Sequence, residues 1–324
     1  MSKRAFITGI GGQDGSYLTE HLLNEGYEIY GIIRRNSVTE HQRSRLDPIK
    51  DKINCVYGDV TDINALSAVI SDVKPDEIYN LAAQSHVRVS FDVPHLTAST
   101  NAIGAMNVFE VARQIVPNAR IYQASSSEMF GNSYDPDFHQ RETTPMKPVS
   151  PYGCSKVFAY NIGRNFRASY NQFISNGILF NHESPRRASN FVTAKIVKNA
   201  ILIKQNKVRK LVLGNLDSKR DWGHARDYVR AMHLILRQDQ PDDFVIATGQ
   251  AKSVRELCDA VFTRLDLDYR DFVVQDEKFM RPQELEYLCG DPAKAREALG
   301  WQAEFNFDAI VDDIVEYWLS ELTE

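Results

Sequence analysis

The chain has 324 residues, 43% of them hydrophobic and 25% charged, with a formal net charge of −5. These are the proportions of an ordinary globular protein with one large or two modest domains. The net negative charge excludes a bulk basic field for nucleic acid, and no apolar run reaches the ~18 residues that a membrane-spanning helix needs.

In chain order, residues 4–8 form a short apolar run that ends in a glycine turn and predicts a first strand. A strand this early leaves no room for a signal peptide. Residues 17–24 have helical spacing, stopped at Gly26. Strands are predicted at 28–33, 54–57 and 77–81, with a helix around 63–70. A long helix covers 102–115 and ends before Pro117. A strand at 120–124 precedes a helix at 151–170, which carries Pro151 early, where the missing N–H costs nothing. A sixth strand is expected at 174–179. This alternation predicts parallel strands joined by right-handed crossovers, a Rossmann-type doubly wound α/β sheet.

After about residue 182 the pattern loosens. Helices are expected at 192–204, 226–236, 253–265, 292–299 and 307–322, with short strands at 211–213 and 244–247. Ser253 and Glu256 make a capping box, and Asp291-Pro292 reads as a cap followed by a first-turn proline. The expected division is residues 1–182, a nucleotide-binding domain that also carries the catalytic residues, and residues 183–324, a smaller, mostly helical α/β domain for the substrate. The chain is free to cross between them in its second half. A cleft between the two is the natural ligand site. Cys55, Cys154, Cys258 and Cys289 form no CxxC pair, so they read as reduced thiols of a cytoplasmic protein. No cluster has metal-ligand spacing.

Gly9, Gly12 and Gly15 follow the first strand and open the first helix, the arrangement that lets a pyrophosphate approach a helix N-terminus. A cofactor selective for an unphosphorylated ribose would call for Asp or Glu at the end of the second strand. This chain has Arg34-Arg35, then Asn36 and Ser37, and two guanidiniums suit a 2′-phosphate, which favours NADP. Asp59, after the third strand, fits an adenine contact, although a turn or helix cap explains it nearly as well.

Tyr152 and Lys156 stand four apart in SPYGCSK and share one helix face. An ammonium beside the phenol favours the phenolate and lets the tyrosine act as a base. Upstream lie Ser126-Ser127-Glu128, and the carboxylate adds a second acid/base beside the first. Each piece alone has a bland reading: a helical Tyr/Lys pair, a strand-end charge, a serine turn. His86 reads equally well as a packed histidine or as a ligand contact.

The motifs TGIGGQDGSYL, GIIRRNS, YGDVTD, NLAAQSHVRVSFD, YQASSSEMFG, ETTPMKPVSPYGCSK, ILFNHESPRR, GNLDSKRDWGHARDYV and RPQELEYLCGDPAKAREALGW span nearly the whole chain. Together they resemble the extended short-chain dehydrogenase/reductases, and within them the GDP-mannose 4,6-dehydratase family. The resemblance implies a tightly held NADP, a GDP-sugar substrate, and a homodimer or homotetramer in which the loop after Arg35 reaches a neighbouring subunit's cofactor. It implies that Ser126, Glu128, Tyr152 and Lys156 are catalytic. It places Gly9, Gly12, Gln13, Asp14, Gly15, Arg34, Arg35, Asn36, Ser37, Asp59, Val60, Leu81, Ala82, Ala83, Gln84, Ser85, Tyr152, Lys156, His182 and Arg187 at the cofactor. It places Ser85, Ser126, Glu128, Tyr152, Asn181, Lys195, Arg220, Arg281 and Glu284 at the GDP-sugar. No metal, nucleic acid or membrane partner is implied.

The chain departs from the family pattern at several points. Ser126 replaces the usual threonine and lacks the methyl that restrains its rotamer. Leu96 replaces a tyrosine near the cofactor, the segment 131–142 is longer, FYPRSPYA has become MKPVSPYG and RRGE has become RRAS. The last two changes are expected near the sugar, which leaves a GDP-manno-heptose as an alternative substrate. A nucleotide-sugar epimerase or reductase, or a cofactor-binding protein without turnover, are the other readings. Glu128 argues against the former, and the intact set of four against the latter.

Overall fold

The computed structural model describes residues 2–34, 45–280 and 283–322. Six strands come from the first half: β1 (Arg4–Thr8), β2 (Glu28–Ile33), β3 (Asn54–Tyr57), β4 (Glu77–Asn80), β5 (Arg120–Ser126) and β6 (Ile174–Leu179). Between them run helices α1 (Gln13–Asn24), α2 (Ile63–Val73), α3 (Val87–Asp92), α4 (Pro94–Ala98), α5 (Gly104–Ile115) and α6 (Pro151–Tyr170). The second half contributes β7 (Asn181–Glu183), α7 (Val192–Lys204), β8 (Leu211–Leu213), β9 (Lys219–His224), α8 (Ala225–Leu236), β10 (Asp243–Ile246), β11 (Ala251–Ser253), α9 (Val254–Thr263), β12 (Val273–Gln275), β13 (Tyr287–Leu288), α10 (Ala293–Leu299) and α11 (Phe307–Leu322).

The main sheet has seven strands in the order β10-β6-β5-β4-β1-β2-β3, all parallel. Its two faces are covered by separate apolar layers. Leu18 and Leu22 of α1 pack with Met232 and Ile235 of α8 on one face. Phe109 of α5, Phe166 of α6 and Ile70 of α2 pack on the other. Burial on both faces is why β4 and β6 read as continuous inward runs rather than alternating ones. The seventh strand, β10, belongs to the second half of the chain. It pairs with β6, and α8 returns with it, so residues 225–246 build the nucleotide sheet's own layer.

The remaining second half forms its own core, in which α7, α9 and α11 enclose Ile201, Leu257, Phe262 and Ile314. A small sheet, β11-β9-β13 with β7 beside β9, joins this unit to the end of β6. The capping box is present: the Ser253 hydroxyl accepts from the Glu256 amide at 3.0 Å, and the Glu256 carboxylate accepts from the Ser253 amide at 2.8 Å. Asp291 caps α10 by accepting from the Ala293 amide at 2.9 Å, with Pro292 at the cap rather than inside the helix. The long central helix starts at Gly104 instead of 102, because a π-helical turn, Ser99–Ile103, precedes it.

Candidate active site

Helix α6 starts at Ser150, whose hydroxyl accepts from the Gly153 amide at 3.0 Å, with Pro151 next. That start sets Tyr152 and Lys156 one turn apart on the sheet-facing side, where they are 9% and 4% exposed. β5 delivers the other half. It ends at Ser126 and turns directly into Ser127–Met129, and the Ser126 Oγ accepts from the Glu128 amide at 3.2 Å. Ser126, Glu128, Tyr152 and Lys156 line one cleft of about 790 Å³ between the sheet's carboxyl ends and the second unit.

The electrostatics of the pair differ from the simplest expectation. Lys156 Nζ donates to the Ala124 carbonyl at 2.8 Å and lies 5.8 Å from the Tyr152 ring centroid. Burial presses the lysine down to about 8, against the pull of Asp14. Burial also raises the Tyr152 phenol to about 12; a hydrogen bond from Ser126 eases it down, Glu128 raises it, and the Arg187 guanidinium lowers it. With the Lys156 ammonium turned to Ala124, Arg187 is a cation that favours the phenolate in this arrangement.

Behind the pair lies a rigid mount. The Tyr152 amide donates to Ser90 Oγ at 3.2 Å, and Ser155 Oγ donates to the Tyr152 carbonyl at 2.7 Å. Asn101, in the π-helical turn, donates to Ser155 Oγ and to the Gln84 carbonyl, both at 3.1 Å, and accepts from the Gln84 amide at 2.8 Å. Gln84 is thereby a brace for α3 and α6 and does not line the cleft.

At the nucleotide end, Gly9 has φ +70, a left-handed conformation that favours glycine. A Cβ on Gly15 would run into the Gly9 carbonyl oxygen and the Ile10 backbone, so the turn and the helix can meet only without a side chain there. Gly12 begins α1 with no side-chain cap, so no capping side chain takes the first-turn N–H groups. Asp14, Leu81, Ala83 and Ser85 reach the cleft lining. Ala82 is tied back by Thr8 Oγ1 at 3.1 Å. Val60 is 4% exposed and packs against Gly104 in the core, its carbonyl taken by Asn107 at 3.0 Å. Arg34 stands 3.9 Å from Asp59, which also accepts from the Thr61 amide at 2.9 Å as a turn carboxylate does. Arg35, Asn36 and Ser37 lie outside the described residues.

Gln13, Asp14 and His182 link the nucleotide turn to the opposite wall. Gln13 donates to the His182 carbonyl at 3.2 Å and accepts from Ser184 Oγ at 2.8 Å. His182 places Nδ1 2.7 Å from the Phe180 carbonyl and Nε2 2.8 Å from the Asp14 carboxylate, and its ring stacks on Tyr228 at 4.6 Å. Two acceptors on two ring nitrogens define an imidazolium. Burial opposes that charge, yet the Asp14 carboxylate wins and raises the His182 pKa. Burial likewise pushes Asp14 up, but His182, its hydrogen bond and Arg187 more than offset this and hold it at about 2.

On the substrate side, Asn181, Lys195, Arg220 and Glu284 line the same cleft as the catalytic four; Arg281 lies outside the described residues. Lys195 Nζ donates to the Val212 carbonyl at 2.7 Å and sits 4.4 Å over the Phe279 ring. The departures from the family pattern distribute unevenly. Met146 and Val149 pack against Phe130 and Phe180 in the core and do not line the cleft, whereas Ser189 does. Leu96 is 49% exposed and away from it. The segment 131–142 leans on the second unit: Gln140 bridges to Gly290, and Arg141 holds Asp135 at 3.0 Å, Asp137 at 2.6 Å and Asp291 at 2.8 Å.

Glu183 and Phe191 also line the cleft, and Arg45 braces its nucleotide end from behind. Arg45 donates to the carbonyls of Arg186 at 2.9 Å and Gly11 at 3.2 Å, stitching the glycine turn to the NHESPRR segment. Glu183, 2% exposed, faces Arg187 at 3.3 Å, and burial raises its pKa. Phe191 carries the Arg187 guanidinium 3.7 Å from its ring centroid. The Arg45 contacts join positions far apart in the chain, whereas Glu183–Arg187 and Arg187–Phe191 are each four residues apart, a spacing that outside a helix does not by itself mark a contact.

A family model described as GDP-mannose 4,6 dehydratase matches residues 6–314. The GDP-mannose 4,6 dehydratase 2 of Arabidopsis thaliana is 48% identical over 324 residues, 97% of this chain and 86% of the relative. The GDP-mannose 4,6-dehydratase of Vibrio cholerae is 44% identical over 349 residues, 97% of this chain and 93% of the relative. Among solved structures, DesIV, a dTDP-glucose 4,6-dehydratase from Streptomyces venezuelae with NAD and TYD bound, superposes with a TM-score of 0.86 at 23% identity, covering 98% of this chain and 97% of that one. That last likeness concerns the fold alone, whereas the match of model and sequence relatives along almost the whole length is specific: the chain belongs to the GDP-mannose 4,6-dehydratase family.

Proposed function

We propose that this chain converts GDP-mannose to GDP-4-keto-6-deoxymannose as an NADP-dependent 4,6-dehydratase, a hydro-lyase. The observation that carries this reading is the presence of Glu128 in the same cleft wall as Ser126, Tyr152 and Lys156. A C4 epimerase needs the last three and has no work for a carboxylate at C5 and C6.

The residues fit a nicotinamide nucleotide. The glycine turn excludes side chains where a pyrophosphate would approach, and α1 begins without a side-chain cap. The Gly9–Gly15 turn, Leu81, Ala83, Ser85, Lys156, His182 and Arg187 would hold it. When bound, it supplies reversible hydride exchange, so that oxidation at C4 and reduction at C6 cancel. Arg34 supports NADP over NAD, since a guanidinium at the end of β2 suits a 2′-phosphate better than a ribose diol.

Tyr152 takes the proton of the C4 hydroxyl while Ser126 hydrogen-bonds the C4 oxygen. A ketone at C4 acidifies the C5 hydrogen. Glu128 removes that proton and passes a proton to the C6 hydroxyl, which leaves as water; as C6 is reduced, the proton held by Tyr152 is delivered to C5, so both residues end in their starting protonation states. Lys195 and Arg220, two cations on the substrate side of the cleft, suit the diphosphate. With Met146 and Val149 packed in the core, the changed MKPVSPYG segment gives little support to a sugar other than mannose.

The family resemblance supports a homodimer or homotetramer, and the exposed apolar residues Ile103, in the π-helical turn before α5, and Phe158, on α6, offer surface for a second copy. Four free thiols fit a reducing, cytoplasmic setting, and among the described residues no helix is long and apolar enough to cross a membrane. The test is product mass after incubating the purified protein with GDP-mannose and, separately, with a GDP-manno-heptose, without added cofactor. Loss of one water from GDP-mannose is expected. Loss from the heptose alone moves the substrate, and an isomer of unchanged mass refutes the dehydratase.

A further inference from the structure

Segment 131–142 has no part in the chemistry above, yet it leaves the turn that carries Glu128 on a stiff footing. The Phe130 amide donates to the Ser127 carbonyl at 3.1 Å, and the Phe130 ring is fully buried. Gly131, at φ +60, has no room for a Cβ against the Lys147 carbonyl. The next residue, Asn132, reaches across to the second unit. Its Nδ2 donates to the Glu284 carbonyl at 3.1 Å, and its Oδ1 accepts from the Glu286 amide at 3.1 Å. One side-chain amide therefore pairs a backbone acceptor and a backbone donor on either side of Leu285. Leu285 is itself fully buried, in one apolar cluster with Met129 and Phe130. The strip held in this way is a wall of the cleft. Glu284 lines it together with Arg220. The Glu286 carbonyl accepts from the Lys219 amide at 2.8 Å, and β13 continues beside β9 with Leu288 opposite Arg220.

We propose that Asn132 is a positioning residue for the nucleotide-sugar: it ties the wall that carries Glu284 to the turn that carries Glu128, so that the wall stands in place before the ligand arrives. The inference rests on the dehydratase reading for the identity of that ligand. Without the clamp, Leu285 keeps the strip in the core, but the backbone on either side of it has to be ordered on binding, which weakens affinity.

The competing account is that Asn132 is only one of several ties that stabilise segment 131–142. Arg141 is such a tie, held by Asp135, Asp137 and Asp291 away from the cleft lining. Asn132→Ala and Arg141→Met, each in the full chain, separate the two accounts. We expect Asn132→Ala to raise the Kd of GDP-mannose measured by calorimetry, and its KM, about three- to fivefold, the scale of one neutral hydrogen bond. Its kcat at saturating substrate should stay within about twofold of wild type, and its bound NADP content should not change. Arg141→Met should lower the melting temperature and leave Kd and KM at wild-type values. Unchanged Kd and KM in Asn132→Ala overturn the proposal, and so does an equal rise in both variants, which would mark general loosening of the segment. Weaker binding by Asn132→Ala with no turnover in either it or the wild type sustains the positioning role while refuting the dehydratase. Failure of the wild-type protein to bind GDP-mannose overturns both.

Discussion

Replacing Asp14 by asparagine removes the carboxylate that holds His182 charged. The structure sets the size of the effect. Burial alone would lift Asp14, yet it is held at about 2 against an ordinary 3.8, a drop of nearly two pH units, on the order of 2 kcal/mol, to which His182 contributes most and the Gln13 hydrogen bond and Arg187 add. Asp14 is a quarter exposed and His182 a tenth, so solvent screens the pair only in part. The pH dependence follows from the directions of the two shifts. The Asp14 pKa is lowered, so its contribution is complete above 3.8 and is lost as pH falls toward 2. The His182 pKa is raised, so its contribution is complete below 6.5 and is lost as pH rises through its folded value. Urea unfolding of wild-type protein and Asp14→Asn should therefore differ by about 2 kcal/mol between pH 4 and 6.5, with the gap closing on the alkaline side. An NMR titration should show the His182 pKa falling in the variant. A gap that widens above pH 7, or no gap at pH 5, would refute the imidazolium assignment.

Four other outcomes are expected. Glu128→Gln should lower turnover by about 10²–10⁴ and abolish exchange of the C5 hydrogen with solvent, while cofactor content stays at the wild-type level; C5 exchange at the wild-type rate would remove Glu128 from the elimination. Tyr152→Phe should stop substrate from reducing the bound nucleotide, seen as no rise in absorbance of the reduced nicotinamide on mixing with GDP-mannose, and a normal rise would assign the base elsewhere. Gly131→Ala forces a Cβ onto the Lys147 carbonyl at a left-handed φ of +60, so it should cost about 2 kcal/mol or more in unfolding and depress turnover through the neighbouring Glu128 turn; wild-type stability would show that the turn relaxes freely. Arg34→Ala should reduce the preference for NADPH over NADH about tenfold, the scale of one charge-assisted bond to a phosphate, and should do so less at high salt. An unchanged ratio would place the 2′-phosphate elsewhere.

Much of this architecture is written in local sequence. Tyr152 and Lys156 could be read as partners because helical spacing alone puts them on one face, and Gly9 to Gly15 because a turn between strand and helix imposes glycine at fixed steps. The β10 strand was legible as an apolar run but not as the seventh strand of the nucleotide sheet, since its partner β6 lies more than sixty residues earlier and only packing of α8 against α1 returns it there. The short helices α3 and α4 and the π-helical turn are held by tertiary braces, chiefly Asn101 to Gln84 and Ser155, and carry little periodicity of their own. For the same reason a family contact list cannot tell side chains from backbone: Val60 and Gln84 sit among cofactor motifs, yet their side chains serve the core and a brace. The charge state of His182 depends on Phe180 and Asp14 together, one two residues away and the other across the chain.

The central claim is that one cleft oxidises C4, removes water across C5 and C6, and returns the hydride to the same sugar. It is tested most directly by supplying GDP-mannose deuterated at C4 and locating the label in the product by NMR. The account predicts a 4-keto-6-deoxy product with the deuterium at C6 and a solvent hydrogen at C5. A product of unchanged mass with deuterium still at C4, or a dehydrated product whose C6 hydrogen comes from solvent, would contradict it.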